Sequence, residues 1–294
     1  LPILASGQGR TITFKVPALN LYADEELFIT FTLRQRNNTP AIPKNTLLAA
    51  FQFPLSSSHV SRLPYEVELT DTLDITPADS NGIVRITGRD FEYQYSHTFG
   101  AIISLVYKGQ PLLDSPLRLN FRRDPTPNDQ ADPNGMRQWR RYNNGNMQCE
   151  VVASVVHPAS MVSAGIDVML RYSTDGQESL FDVRQTYLIL PSGDLLVDND
   201  ITVSDQLKSI AAVGMDMCID STLDTIEWFG RDVDSYPDRC SAGTIRHCTL
   251  PFLHAISPIG ASQQHTETRW VTLRNAGKGL YVDLLDTLCN FTIA

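Results

Sequence analysis

The densest run of reactive side chains is Ile226-Glu227-Trp228-Phe229-Gly230-Arg231-Asp232-Val233-Asp234-Ser235-Tyr236-Pro237-Asp238-Arg239. An aromatic pair closes what reads as a strand and opens onto a loop with two guanidiniums, several carboxylates and a tyrosine hydroxyl. Planar charged groups grip vicinal hydroxyls while aromatic faces cover the apolar side of a sugar ring, so the set suits a polyhydroxylated ligand. It suits a locked loop as well, because Arg231 and Arg239 can pair with Asp234 and Asp238 in bidentate bridges.

Other chemistry finds little support. There is no Gly-x-Ser-x-Gly elbow for a nucleophilic serine. Cys240, His247, Cys248 and His254 fall close together but match no finger or ribbon spacing for zinc. The oxygen-rich run from Asn128 to Gly135 fails the calcium-loop pattern at Gln130 and Arg141, and reads as a turn-rich surface loop. Gly7-Gln8-Gly9 lacks the third glycine of a phosphate loop. The sequons at Asn37 and Asn290 are too common by chance to place the protein outside a cell.

These residues must be positioned by strands. Period-two alternation recurs at Ile12/Phe14/Val16, Leu27/Ile29/Phe31/Leu33, Phe91/Tyr93/Tyr95, Leu117/Leu119/Phe121, Ile166/Val168/Leu170/Tyr172, Phe181/Val183 and Leu280/Val282/Leu284. Each run turns one face to a core and one to water, as half-buried antiparallel strands do. Turn residues punctuate them at Asn37–Pro40, Ser80–Gly82, Lys108-Gly109, Asp175-Gly176, Ser192–Asp194 and Ala276–Gly279. Only Asp205 to Val213 has helical spacing, with Leu207, Ile210 and Ala211 on one side. The predicted fold class is all-β: a small β-sandwich piece at 1–55, a linker at 56–80 and a larger β domain at 81–294. Strands that do not alternate with long helices exclude a parallel (β/α) barrel. Asp124 to Asn146, rich in Pro, Asp, Asn and Gly, reads as a long loop.

Composition narrows the partners. The 294 residues carry a formal net charge of −9, which disfavours a nucleic-acid groove. The longest apolar stretches, such as Leu47 to Phe51 and Ala101 to Tyr107, are far shorter than the ~20 residues that span a bilayer. Five widely spaced cysteines read as reduced thiols, which favours a cytoplasmic setting. The start at Leu1-Pro2-Ile3-Leu4 resembles neither a translation start nor a signal peptide, and suggests a chain that begins partway through a longer protein.

At this point the motifs become recognisable. Trp228-Phe229-Gly230-Arg231 followed by Tyr236-Pro237-Asp238-Arg239 resembles the Trp-Tyr-Gly-Arg…Tyr-Pro-Asp-Arg signature of the C-terminal small-chain domain of family-two β-galactosidases. Leu119-Asn120-Phe121-Arg122-Arg123-Asp124-Pro125-Thr126-Pro127-Asn128-Asp129 is similar to that domain's Asn-Phe-Trp-Arg-Ala-Pro-Thr-Asp-Asn-Asp element, and Thr268-Arg269-Trp270-Val271 with Gly277-Lys278-Gly279-Leu280 to a later hairpin. Phe91 to Gly100 and Ser104 to Gly109 are similar to its opening strands, and Leu27 to Leu33 with Ala49 to Phe53 to the end of the preceding immunoglobulin-like domain. Arg122, Asp124 and Pro127 depart from the family pattern, and the signature loop is one residue shorter.

The resemblance implies a galactose-mutarotase-like supersandwich, incomplete at its C-terminus, after a partial immunoglobulin-like sandwich. It implies a non-catalytic portion of a β-galactosidase, since the family's two reactive glutamates reside in an upstream barrel. Arg123, Asn128, Asp129, Arg231, Asp238 and Arg239 carry over as substrate contacts or loop-ordering residues, with Trp228 and Trp270 packed between sheets. The implied partners are a β-galactoside and the upstream barrel domain or subunit, with a homo-oligomer allowed for the intact enzyme. No nucleic acid or membrane is implied. No cofactor is expected in this chain; magnesium and sodium or potassium belong to the intact enzyme. The alternative is a stand-alone carbohydrate-binding module.

Overall fold

The computed structural model describes residues 4–16, 20, 25–55, 72–131, 136, 137, 139, 140, 142, 145–160, 162–174, 178–232, 243–252, 264–283, 285 and 288–293. The chain divides into two compact units, Leu1–Arg62 and Leu63–Ala294. In the first, β1 (Phe28–Arg34) pairs antiparallel with β2 (Leu47–Pro54), Phe31 opposite Phe51 and Ile29 opposite Phe53. Alternation therefore places Ile29, Phe31, Leu33, Phe51 and Phe53 on one face. Phe31, Leu33, Phe51 and Phe53 are exposed there. Residues 12–16, whose alternation predicts a strand, make no ladder among the described residues. Extended backbone becomes a strand only by pairing, and Phe14 meets the hairpin through its ring, 5.4 Å from Phe31.

The second unit is a set of antiparallel sheets. β3 (Asp74–Thr76), β4 (Ile83–Thr87), β5 (Phe91–Ser96), β6 (Ala101–Tyr107) and β7 (Gln110–Leu113) form a five-stranded meander. β3 lies within the segment read from sequence as a linker. β8 (Arg118–Asn120) leads to the short helix α1 (Pro127–Ala131). β9 (Met147–Val156), β10 (Ala164–Thr174), β11 (Phe181–Ile189) and β12 (Leu195–Val203) form a four-stranded sheet, and β13 (Gly214–Asp216) pairs with β8. β14 (Thr225–Arg231), β15 (Ile245–Pro251), β17 (Trp270–Arg274) and β18 (Gly279–Asp283) form another in the order β15-β14-β17-β18. β16 (His265–Thr268) pairs with β19 (Cys289–Phe291). The predicted all-β class is what the chain adopts.

Among the described residues two apolar clusters hold this unit. The larger joins Val84, Ile86, Tyr93, Tyr95 and Ile102 of the meander to Ile166, Val168, Leu170, Phe181, Tyr187 and Ile189 of the β9–β12 sheet. In β4, β10 and β11 the alternate residues are those buried, as period two requires. Gly100, at the β5–β6 turn, has φ +59, and a Cβ there would stand 2.9 Å from Leu170 and 3.0 Å from Val151. Only glycine satisfies both that backbone and that contact. The smaller cluster centres on Trp228, with Leu223, Ile226, Cys248, Val271 and Leu273. A largely buried ion pair ties the two regions: Lys278, in the β17–β18 turn, donates to Asp220 and, at 3.0 Å, to the Pro111 carbonyl.

Two local expectations are corrected. Residues 205–213 form turns, not a helix. Leu207 and Ala211 are buried, but Ile210 is exposed. The Ala211 backbone is bonded from outside the segment: its N–H donates to the Tyr142 hydroxyl at 2.9 Å and its carbonyl accepts from Arg123 Nε at 2.7 Å. Nine residues are too few to sustain a helix without packing support, and here the packing favours turns. Conversely, the segment 124–146 is not simply a loop. It holds α1, and Met136, Arg137, Trp139, Arg140 and Tyr142 are helical. Met136, Trp139 and Tyr142 recur every third residue, a one-face spacing, and Trp139 and Tyr142 are buried in the larger core.

Candidate functional site

Arg123 follows closely on Phe121, which is fully buried and stacks on Phe181 at 4.0 Å. The chain then turns out of the core, and the guanidinium organises the exit. Arg123 Nη1 and Nη2 donate to the two oxygens of Asp129 at 2.5 and 2.9 Å, while Nε holds the Ala211 carbonyl. The guanidinium also lies 5.3 Å from the Trp139 ring centroid. Such a bidentate fork is the strong form of an ion pair. Asp129 also caps α1. Its carboxylate accepts the Thr126 N–H at 2.7 Å, and the Thr126 hydroxyl accepts the Asp129 N–H at 3.2 Å. This is a reciprocal capping arrangement around the first turn of the helix, with Pro127 at the first helical position. The Arg123 guanidinium, ahead of the backbone and hydroxyl bonds, holds the Asp129 carboxyl down to about 2. Asn128 is exposed on α1.

Arg231 ends β14, in phase with Glu227 and Phe229 and opposite the core-facing Ile226 and Trp228. Its Nη1 donates to the Gly243 carbonyl at 2.6 Å and its Nη2 to Glu267 Oε1 at 2.8 Å. Its Nε is buried and has no hydrogen-bond partner among the described residues. Asp232, the next residue, accepts from the Thr244 N–H and hydroxyl at 2.8 Å each and from Arg246 at 2.8 Å. Arg231 with Gly243, and Asp232 with Thr244, thus clasp the two ends of the segment between them. Asp238 and Arg239, with Asp234, Tyr236 and Pro237, lie outside the described residues. Trp228 Nε1 donates to the Arg231 carbonyl at 3.0 Å, so the core indole fixes the backbone that carries the guanidinium.

Glu267 is the partner that sequence reading missed. It lies 36 positions from Arg231, and no spacing rule connects them. It also has φ +49, an uncommon backbone for a side-chain-bearing residue. Gly230 explains how β16 reaches β14: a Cβ there would meet the Thr268 Cα and Oγ1 at 2.9 Å and the Glu267 carbonyl at 3.2 Å. Gly230→Ala forces backbone apart from backbone, so a loss of about 1–3 kcal/mol in stability is expected, read as a lowered midpoint in thermal unfolding. An unchanged midpoint contradicts the close approach. Thr126 was legible, since Thr-x-x-Asp ahead of a turn of helix is a capping signature.

The structure thus sets the candidate residues in two clusters. Arg123 and Asp129 adjoin the larger core, and Arg231 lies at the end of β14. Trp228 is buried between sheets as expected, whereas Trp270 is partly exposed on the opposite face of its sheet. His247 and Cys248 are neighbours in β15 and project to opposite faces, His247 exposed and Cys248 buried. Among the described residues no group of three His, Cys, Asp or Glu side chains is placed to hold a metal ion. No helix among them is long and apolar enough to cross a membrane.

Comparison with known proteins identifies the family. The family model described as "Beta galactosidase small chain" matches residues 87–294. The chain belongs to the β-galactosidase small chain family. Among curated relatives, it is 25% identical over 264 residues to a β-galactosidase of Yersinia enterocolitica serotype O:8 / biotype 1B, covering 84% of this chain and 24% of the relative. A β-galactosidase of Priestia megaterium is 24% identical over 276 residues, covering 90% of this chain and 25% of the relative. The small-chain region therefore accounts for most of this chain, which spans about a quarter of the length of these relatives.

Proposed function

We propose that this chain is a non-catalytic portion of a β-galactosidase, which supports the active site of a barrel-bearing polypeptide and cleaves no galactoside by itself. The observation that carries this reading is the coverage: nearly the whole chain aligns with about a quarter of each relative. In this reading Arg123, Asn128 and Asp129 order the exit from β8, and Arg231, with Asp238 and Arg239, orders the signature loop beside the sugar.

Two features of the molecule support it. A glycosidase needs one carboxylic acid kept protonated by a raised pKa beside an ionised partner. Among the described residues every carboxyl with a displaced pKa is displaced downward: Asp79 by backbone N–H groups, Asp129 by Arg123, Asp167 by His157, Asp220 by Lys278 and Glu227 by Arg274. Each of these carboxylates is engaged in a hydrogen bond or ion pair. Second, the apolar face of the β1–β2 hairpin is exposed, with Phe51 and Phe53 at 55% and 53%. A two-stranded sheet is marginal alone, so residues 1–55 fit best as part of an immunoglobulin-like sandwich completed by strands from upstream polypeptide.

The test is complementation. The purified chain is mixed with a separately expressed barrel-bearing part of a β-galactosidase, and cleavage of a chromogenic galactoside is followed. Activity is expected only from the mixture. Turnover by the chain alone, or a mixture no more active than its parts, overturns the proposal.

A further inference from the structure

The buried face of the β15-β14-β17-β18 sheet is explained by the smaller core, but its other face carries a chemistry that the clasps above do not use. Register sets the pattern. His247, Phe229, Trp270 and Asp283 stand opposite one another across the four strands, and Thr249, Glu227, Thr272 and Tyr281 form the adjacent row. All eight are partly or fully exposed. The rings form a contiguous band: the His247 and Trp270 centroids are 5.4 Å apart, and those of Trp270 and Tyr281 5.8 Å apart at an interplanar angle of 34°. Arg269 lies over Phe229 at 5.6 Å, so the accessible rings are those of His247, Trp270 and Tyr281, the last 51% exposed.

Polar groups of both signs border the band. Glu227 is held by Arg274 and lies 3.6 Å from His247 Nε2. Asp283 accepts the Tyr281 hydroxyl at 3.2 Å. Burial and the Asp283 carboxylate push the Tyr281 phenol up to about 12, so it remains a neutral donor. An aliphatic protein partner would leave these carboxylates and cations desolvated and imperfectly paired. A saccharide would not: a pyranose offers an apolar C–H face to a flat ring and a rim of hydroxyls that both donate to carboxylates and accept from Arg, His and Tyr. Galactose suits such a surface, because its axial O4 leaves the hydrogens on C3, C4 and C5 on one side. Four strands span about 14 Å, room for a disaccharide.

We propose that this face is a surface saccharide-binding site, in which Trp270 and Tyr281 stack a pyranose ring and Glu227, Asp283 and Arg274 bond its hydroxyls. The choice of β-galactosides as ligands rests on the functional reading above; the platform itself does not. The platform uses none of the side chains of the Arg123 and Arg231 clasps and adds retention of a saccharide to the supporting role.

Intrinsic fluorescence reports on it directly. Of the three tryptophans, Trp139 and Trp228 are buried at 3% and 1% exposure, so a change on ligand addition is dominated by Trp270. The full 294-residue chain is titrated with lactose, with maltose as the α-linked control. A saturable change with lactose is expected. Trp270→Ala, followed by calorimetry, should weaken binding about tenfold or more, and Tyr281→Ala about threefold, the latter at an exposed position where folding is not at stake. No saturable response in the wild-type chain, or wild-type affinity in a folded Tyr281→Ala and a folded Trp270→Phe variant alike, overturns the site. A chain that complements a barrel without binding lactose removes the platform and leaves the functional reading. One that binds lactose at Trp270 but never complements does the reverse.

Discussion

Trp228→Ala is expected to destabilise the second unit by about 3–5 kcal/mol, the range for truncating a large buried aromatic. Trp228 is 1% exposed, its ring lies 4.3 Å from His265 and 5.9 Å from Phe291, and its N–H bonds the Arg231 carbonyl. Truncation therefore opens a cavity at the meeting of β14, β16 and β19 and frees the backbone that carries Arg231. Denaturant unfolding followed by near-ultraviolet circular dichroism should show the midpoint fall by that equivalent. Complementation should fall with it, since the Arg231–Glu267 clasp hangs on the same backbone. A loss under about 1 kcal/mol would show that the indole is not the keystone of this core.

Arg123→Ala is expected to be nearly as damaging, and to change the pH dependence of stability as well. It strips Asp129 of both guanidinium bonds, leaves the Ala211 carbonyl without its donor and uncovers Trp139. Removing one partner of a mostly buried, multiply bonded pair costs about 2–4 kcal/mol. The pH effect has a definite sign. The folded pKa of Asp129 is about 2, against an ordinary value of 3.8. A depressed carboxyl pKa contributes stability that is fully present above the unfolded value and is lost as pH falls through the folded one. The wild-type chain should thus lose about 1–2 kcal/mol from this group between about pH 5 and pH 2, after allowance for partial solvent screening. In Arg123→Ala that slope should become shallower, because the guanidinium is the largest single cause of the depression. Urea midpoints measured across this range for both proteins decide the matter. Parallel pH profiles would mean that Asp129 owes its low pKa to Thr126 instead.

Much of the architecture could be read before any coordinate. Alternation at Phe91/Tyr93/Tyr95, Ile166/Val168/Leu170/Tyr172 and Phe181/Val183 predicts strands, and the buried residues are those same ones. A strand's two faces differ in every second residue, so a local pattern carries the information. Failures occurred where local pattern and partner disagreed. Ile12/Phe14/Val16 alternates without a ladder, and Asp205 to Val213 has helical spacing but surrenders its backbone bonds to Tyr142 and Arg123. In 124–146 the density of Pro, Asp, Asn and Gly concealed Met136, Trp139 and Tyr142, whose spacing alone marked a buried helical face.

The sequence by itself determined the all-β class, the family, and the identity of Arg123, Asp129 and Arg231 as residues worth following. All of these rest on short-range order along the chain: alternation, turn residues and motifs in series. Only the tertiary structure decided that Arg231 is held by Glu267, that Arg123 reaches Ala211, and that the two tryptophans part company. Trp228 and Trp270 each sit in an alternating strand, and alternation says that a strand has two faces without saying which is buried. The register β14–β17 settles it, setting Trp228 opposite Val271 and Trp270 opposite Phe229, and so sends one indole into the core and the other to the surface. Register is fixed by the hydrogen bonds and packing of residues some 40 positions apart, a distance over which neighbouring letters say nothing.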